Sequence, residues 1–387
     1  MERDYDLIVV GAGPGGSNAA AVALRSGLAV AQVDAARFPR TKPCAGGLTP
    51  KAWRALQFEL EPSLRGEFRE FEFNAWRGTR TVFSFRSRFL ALVSRAEFDN
   101  RLVEENRRRS DLSFFDGEPV RAIEWTGERF RVRTDARTLA SRQLVGADGA
   151  NGIVNRVFRI SAPRARALAV EVNLRRAELE GEPVLRPCFD FGLLPRGYGW
   201  VFPKDELVSV GLYTLERGLK DLRQRLGEYL AARGLRPRGD PLASFATHTI
   251  PLGGFRLRDP GAPVYVVGDA GGFGDALTGE GIYHALESGR LAGETAVRVA
   301  RGEADPESYR ARLAKSVLRD TSWTWKLSGV FYRDPALWLR LLRCSPLWRP
   351  LVHGTGSGAT FSQCCTRAGV FLARSLRGNT ARRARAS

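Results

Sequence analysis

The sequence predicts an α/β protein: a parallel-sheet layer, interrupted by an antiparallel β-rich insertion and followed by a helical carboxy-terminal region. A strand, a glycine-rich turn, a helix and a second strand open the chain; buried-strand signals return near residues 143 and 263; and alternating apolar residues lie between them. The length of 387 residues allows two or three domains of ~150 residues, each with its own core. With 43% hydrophobic and 26% charged residues, the chain is globular in composition, neither collagenous nor disordered.

Each element has its own cause. Asp6-Leu7-Ile8-Val9-Val10 is a short apolar run rich in β-branched residues, and it ends in Gly11-Ala12-Gly13-Pro14-Gly15-Gly16. An Ala- and Leu-rich helix follows over 19–25, then Gly27 and a strand over 29–34. Strands are expected again at 143–148 and 263–269, the latter leading into a helix over 279–301. In that helix Ile282, Ala285, Leu286, Gly289, Ala292, Gly293 and Ala296 share one side, whose small residues suit close packing on a sheet. Leu168, Val170, Val172 and Leu174 alternate with Ala169, Glu171 and Asn173, the pattern of a half-buried antiparallel strand, and 200–202 and 208–212 read as its neighbours. From about Asp305 the chain is helical and Trp-rich. These signals place 1–60, 90–160 and 255–304 in the parallel-sheet domain, 61–89 and 161–254 in the β-rich domain, and 305–387 in a basic helical region.

The formal charge is +18, and all but six of the 60 basic residues are Arg. That skew is a compositional bias rather than a nucleic-acid surface, since neither a basic recognition helix nor a basic sheet with interleaved aromatics is present, and no nucleic-acid partner is expected. Ten Arg against one Asp fall from Phe331 onward, which suits an anionic membrane surface, an acidic partner, or simply a solvated end. Cys44, Cys188, Cys344, Cys364 and Cys365 match no zinc spacing, so no metal is expected, and a reducing cytosol fits them. No run of ~18 apolar residues predicts a transmembrane helix. The amino terminus carries no signal-peptide pattern. The expected location is the cytoplasm, with peripheral membrane contact through the basic region.

The motif that carries chemistry is Gly11-x-Gly13-x-x-Gly16. The first glycine permits a tight turn, the second lets a pyrophosphate approach the backbone, and the third lets the helix pack on the strand, while the helix start favours phosphate. Asp34 ends the second strand where an acid meets the ribose hydroxyls of an adenosine, which fits FAD or NAD better than NADP. Further on, Asp269 after a strand can accept a ribityl hydroxyl, and N–H groups around Gly279, Gly281 and Ile282 can hold the pyrimidine edge of a flavin. This second element selects FAD and a Rossmann-like FAD-binding domain.

With Arg95-x-x-Phe98-Asp99-x-x-Leu102 and Gly146-Ala147-Asp148-Gly149-Ala150, these strings resemble the FAD-dependent oxidoreductases built like p-hydroxybenzoate hydroxylase. Lys42-Pro43-Cys44-Ala45-Gly46-Gly47-Leu48 is similar to the cysteine-containing loop of the geranylgeranyl reductases, and Tyr198-Gly199-Trp200-Val201-Phe202-Pro203 to their YxWxFP motif. The resemblance implies that FAD is held by Gly11, Gly13, Pro14, Gly15, Gly16, Asp34, Cys44, Ala45, Arg95, Asp148, Asp269, Gly279, Gly281 and Ile282. The plainer alternative for Arg95 and Asp148 is an ion pair or a turn. It also implies an enzyme that saturates double bonds in the prenyl chain of a lipid or quinone, with NAD(P)H or ferredoxin as electron donor. Tyr198, Trp200 and Phe202 share one face of a strand and form a wall for such a chain, Trp200 being alternatively plain core.

In such enzymes a reduced flavin gives a hydride to one alkene carbon and an acid gives a proton to the other, which calls for a dry, aromatic-lined site with one acid. Cys44 is the first choice, as acid or as positioning group, since a free thiol with pKa ~8.5 is protonated at pH 7, and Tyr198 the second as acid. The alternative for Cys44 is a small buried hydrophobe. His248, His284 and His353 lie in no motif, so no catalytic histidine is expected. The chain departs from the family pattern at Ala45, Gly152 and Ala276, where Gly, Ser and Pro are usual; Ala276 is expected to loosen the loop beside the flavin edge. Two other functions use the same scaffold: a flavin monooxygenase or halogenase acting on an aromatic substrate, and a prenyl-binding escort without catalysis.

Overall fold

The computed structural model describes residues 3–59, 63–181, 185–344 and 349–366. Its first layer is a seven-stranded sheet in the order Leu112–Asp116, Val30–Asp34, Arg3–Val10, Thr138–Gly146, Phe130–Arg133 and Ala122–Trp125, with Val264–Val266 also paired to Thr138–Gly146. The five strands nearest the glycine turn run parallel, and two antiparallel strands extend one edge. Leu7, Ile8 and Val9 are fully buried, as a continuous apolar run sandwiched between helices requires.

The helices Pro14–Arg25 and Ile282–Ala300 pack on this sheet and on each other. A Cβ added at Gly289 would lie 2.1 Å from the Gly15 carbonyl oxygen, and one at Gly293 2.7 Å from that of Ala19. The small-residue side therefore serves a helix crossing at backbone contact more than packing on the sheet. The later helix starts at Ile282 rather than Gly279, because Gly279 is left-handed (φ +71°) and Gly281 forms the cap.

The second layer is another seven-stranded sheet: Ala246–Leu252, Ala165–Arg175, Leu207–Thr214, Gly197–Pro203, Cys188–Phe191, Glu70–Ala75 and Arg80–Ser84. All pairs are antiparallel except Cys188–Phe191 beside Glu70–Ala75. The strand at 208–212 is the direct neighbour of 168–174, and the strand at 200–202 lies one position further. Both faces of this sheet are covered. Val170, Val172, Val201, Val210 and Leu212 pack under the helix Leu222–Ala232 through Leu226, Tyr229 and Leu230. Tyr198, Trp200, Phe202 and Tyr213 lie on the opposite face, closed by Phe331, Leu339 and Val352 from the carboxy-terminal helices. Gly211 makes this possible, since a Cβ there would sit 2.2 Å from the Trp200 ring. The Trp200 Nε1–H donates to Ser209 Oγ at 3.2 Å. Among the described residues no helix is long and apolar enough to cross a membrane.

Candidate functional site

The glycine turn and the loops around it enclose a cavity of about 630 Å³. Gly11 has φ +104°, and a Cβ there would lie 2.2 Å from the Ala147 carbonyl oxygen. Gly16 sits behind the turn, where a Cβ would lie 2.0 Å from the Gly11 oxygen. Gly13 differs from both. Its φ of −73° suits any residue, and a Cβ would meet only the Arg40 guanidinium, at 3.4 Å. Nothing in the protein's own packing requires glycine at 13. The open side of that position is the cavity, which gives the absent side chain its reason only when a ligand lies against the backbone.

No side chain caps the helix Pro14–Arg25 at Gly13 or the helix Ile282–Ala300 at Gly281, and both helix starts line this cavity. Their free N–H groups and dipoles suit anionic or strongly accepting groups of a ligand. Asp34 lines the same cavity, its Oδ2 accepting the Ala12 N–H at 2.7 Å and its Oδ1 the Ala36 N–H at 2.9 Å. Asp148 accepts the Val154 N–H at 2.9 Å through Oδ2, while its buried Oδ1 has no partner among the described residues, and burial raises its pKa. Its carboxyl also fills the place of a side chain at Gly152, where a Cβ would lie 2.1 Å from Asp148 Cγ.

Arg95 makes the ion pair that the plainer sequence alternative describes, with two 2.8 Å bonds to Asp99, and it also faces Cys44. Asp99 bonds Arg40 as well, at 3.0 Å. Asp269 faces Lys42 at 3.2 Å and His248 Nε2 at 3.5 Å. Burial opposes its charge, but Lys42 and His248 outweigh burial and hold the carboxyl well below the usual range.

A second cavity, of about 270 Å³, lies on the aromatic face of the second sheet. Tyr198, Trp200 and Phe202 line it together with Phe71, Phe189 and Phe191. Ala45 lies on this side and not in the first cavity. Pro43, Cys44, His248, Ile250, Gly279, Gly281 and Ile282 line both cavities, so the two meet there. The loop 275–278, expected to be loose for want of a proline at Ala276, hangs from three tyrosines. Tyr198 donates to the Thr278 carbonyl, Tyr213 to that of Ala276 at 3.3 Å, and Tyr332 to that of Leu277 at 2.6 Å.

Two residues at this junction escaped the sequence reading. Glu171 belongs to the polar half of an alternating strand, yet that half faces the second cavity; the side chain is only 5% exposed and its Oε1 accepts the Cys44 N–H at 2.8 Å. The readable signal was the aromatic row of Tyr198, Trp200 and Phe202, which shares that face. His248 lies in a Thr-rich strand beyond any motif, and no local signal marks it.

Residues 4–181 match the FAD binding domain family. A menaquinone reductase of Mycobacterium tuberculosis is 33% identical over 327 residues, covering 76% of this chain and 77% of the relative. A geranylgeranyl diphosphate reductase of Rhodobacter capsulatus is 31% identical over 307 residues, covering 76% and 75%. The chain belongs to the geranylgeranyl reductase family of FAD-dependent oxidoreductases. The crystal structure of a geranylgeranyl bacteriochlorophyll reductase-like protein from Thermoplasma acidophilum has the same fold, with a TM-score of 0.74 at 17% identity, over 95% of this chain and 96% of that one. The cofactor of this geranylgeranyl reductase-family member is FAD, and the first cavity fits it: open backbone at Gly13, two uncapped helix starts, and an unpartnered carboxylate oxygen on Asp148.

Proposed function

We propose that this FAD-dependent reductase saturates double bonds in the prenyl chain of a lipid or quinone. The observation that carries the reading is the junction at Cys44, where the polar cavity around the glycine turn opens into an aromatic one. The names of the two reductase relatives above support the substrate class. Gly11, Gly13, Pro14 and Gly15 would hold the pyrophosphate, Asp34 the ribose, Asp148 and Asp269 the hydroxyl-bearing linker, and Gly279, Gly281 and Ile282 the flavin's pyrimidine edge, with Arg95 fixing the Cys44 loop. When bound and reduced, FAD supplies a hydride to an alkene carbon.

The chain's own residues do the rest. Tyr198, Trp200 and Phe202 exclude water and orient the chain. Tyr198 commits its proton to Thr278, and burial pushes its pKa well up, so it serves as wall and loop anchor. Cys44 remains in contact with both cavities and presses the alkene toward the cofactor site. The helix Pro335–Cys344 turns Leu339 and Leu342 into the aromatic cavity, while Leu337 is 48% exposed and Arg333, Arg340 and Arg343 face outward. This pattern suits an entrance resting on an anionic lipid surface; Trp348 and the residues beyond 366, expected to share in it, lie outside the described residues.

The test is anaerobic reduction of the flavoprotein followed by incubation with prenylated lipids and quinones. Mass spectrometry should show a pair of hydrogens gained per double bond. Oxygen consumption with peroxide release on NAD(P)H would instead indicate a monooxygenase or halogenase, and a colourless protein an escort.

A further inference from the structure

Saturating an isolated alkene consumes a proton as well as a hydride, and the acids that line the aromatic cavity are few. Tyr198 and Tyr213 donate their hydroxyls to carbonyls of the loop 275–278, and burial raises both. Burial opposes charge on Lys51, but Glu280 at 2.8 Å and Asp320 at 3.4 Å outweigh it and keep the ammonium protonated. Glu280 is thereby committed to Lys51 and also accepts the Thr49 hydroxyl at 2.5 Å. His248 turns Nε2 to Asp269. Among the described lining residues this leaves Cys44 and Glu171.

Resting on the prenyl-reductase reading above, we infer that Glu171 is the catalytic proton donor to the alkene, and that Cys44 positions it. Glu171 lies in the cavity wall, and its Oε1 accepts the Cys44 backbone N–H at 2.8 Å, which places the carboxyl at the junction of the two cavities. With Oε1 serving as the acceptor, the acid's proton belongs on Oε2. Burial raises the pKa of this carboxyl against the Cys44 N–H, the charges of Lys204 and His248, and the Asn173 side chain, which favours the acid form at the cavity wall. Those groups, from the loop at 44, the end of the strand Gly197–Pro203, the strand Ala246–Leu252 and its own strand, are the polar neighbours that bear on it.

The step balances. The alkene π pair takes the Glu171 proton at the less substituted carbon, the O–H bond breaks, and the tertiary carbon would take the hydride that FAD, when bound and reduced, would supply. Glu171 is left as a carboxylate stabilised by the Cys44 N–H and the nearby cations, and solvent reprotonates it after the product leaves.

Glu171→Gln keeps the size and the acceptor for Cys44 but carries no acidic proton. It should bind FAD and accept electrons like the wild type by visible absorbance, yet reduce the alkene ~10²–10⁴-fold more slowly. Wild-type activity should fall as pH rises through the ionisation of Glu171; Glu171→Asp and Cys44→Ser should keep that alkaline fall, and the residual activity of Glu171→Gln should lose it. Infrared spectra near neutral pH should show a protonated carboxyl C=O band that vanishes in Glu171→Gln, independent of turnover. A Gln variant with wild-type alkene reduction, or one that keeps the alkaline fall and the infrared band, overturns the inference. So does loss of FAD in both the Gln and Asp variants, which would make Glu171 structural. Wild-type protein that reduces no prenyl chain would refute the underlying reading instead.

Discussion

The dinucleotide cavity is walled by backbone and by carboxylates at strand ends, within short strings such as Gly11 to Gly16 and Asp269 to Ile282, whereas the aromatic cavity is walled mainly by side chains drawn from elements spread between Pro43 and Phe361. The first depends on a few close backbone approaches, so a single side chain added at Gly13 should abolish it as a cofactor site. The second depends on summed contact area, so its losses are graded. One site thus combines an all-or-none half with a tunable half.

Gly13→Val tests the all-or-none half and should have the largest effect. Bound FAD, read as visible absorbance, should disappear, while the variant should unfold like cofactor-free wild type, because only Arg40 lies near the new Cβ. A fully yellow variant would break the comparison. Trp200→Ala tests the graded half. Stability should fall by about 3 kcal/mol, the lower end for loss of a buried aromatic, because the site already adjoins open space. Prenyl binding should weaken more than FAD binding, which titration of the flavin spectrum with a prenyl ligand would measure.

Cys44→Ser sits on the border between the halves. The spectrum should stay intact while alkene reduction falls by about tenfold or more, equivalent to ~1.4 kcal/mol of barrier; unchanged turnover would make the residue structural. The smallest effect belongs to Leu337→Asp at the outer rim. Binding to anionic vesicles in a flotation assay should weaken by an amount comparable to one basic contact, ~1 kcal/mol at low salt, with FAD and the aromatic cavity untouched. Equal vesicle binding by the variant would remove this helix as the membrane contact.

The same division explains what was legible in the sequence. Asp6 to Val10 and the glycine turn were readable because a doubly buried strand is a continuous apolar run and a phosphate turn is a local string. The alternation at 168–174 revealed a strand but not its surroundings: Glu171 reads as solvent-facing until Tyr198, Trp200 and Phe202 are known to share its side. The small residues of 282–296 signalled a close approach and left the partner open between sheet and helix. His248 reaches Asp269 only through the pairing of Ala246–Leu252 with Ala165–Arg175, a register that no local pattern encodes. Ala276 suggested looseness because its supports, Tyr198, Tyr213 and Tyr332, are distant in sequence.

The interleaving of the two sheets along the chain bears on how the protein is made. Val264–Val266 joins a sheet begun at Arg3, and Cys188–Phe191 joins one begun at Glu70. Contacts of such long sequence separation form slowly and expose unpaired edges meanwhile. The helix that supplies the second uncapped start ends only at Ala300. Because the chain grows from its amino end, a nascent chain emerging from the ribosome cannot assemble the whole cofactor cavity until about three-quarters of it has been synthesised. The second sheet is completed only by Ala246–Leu252 and the first only by Val264–Val266, so both stay unfinished while most of the chain is made, and no contiguous fragment holds all the strands of one sheet without strands of the other.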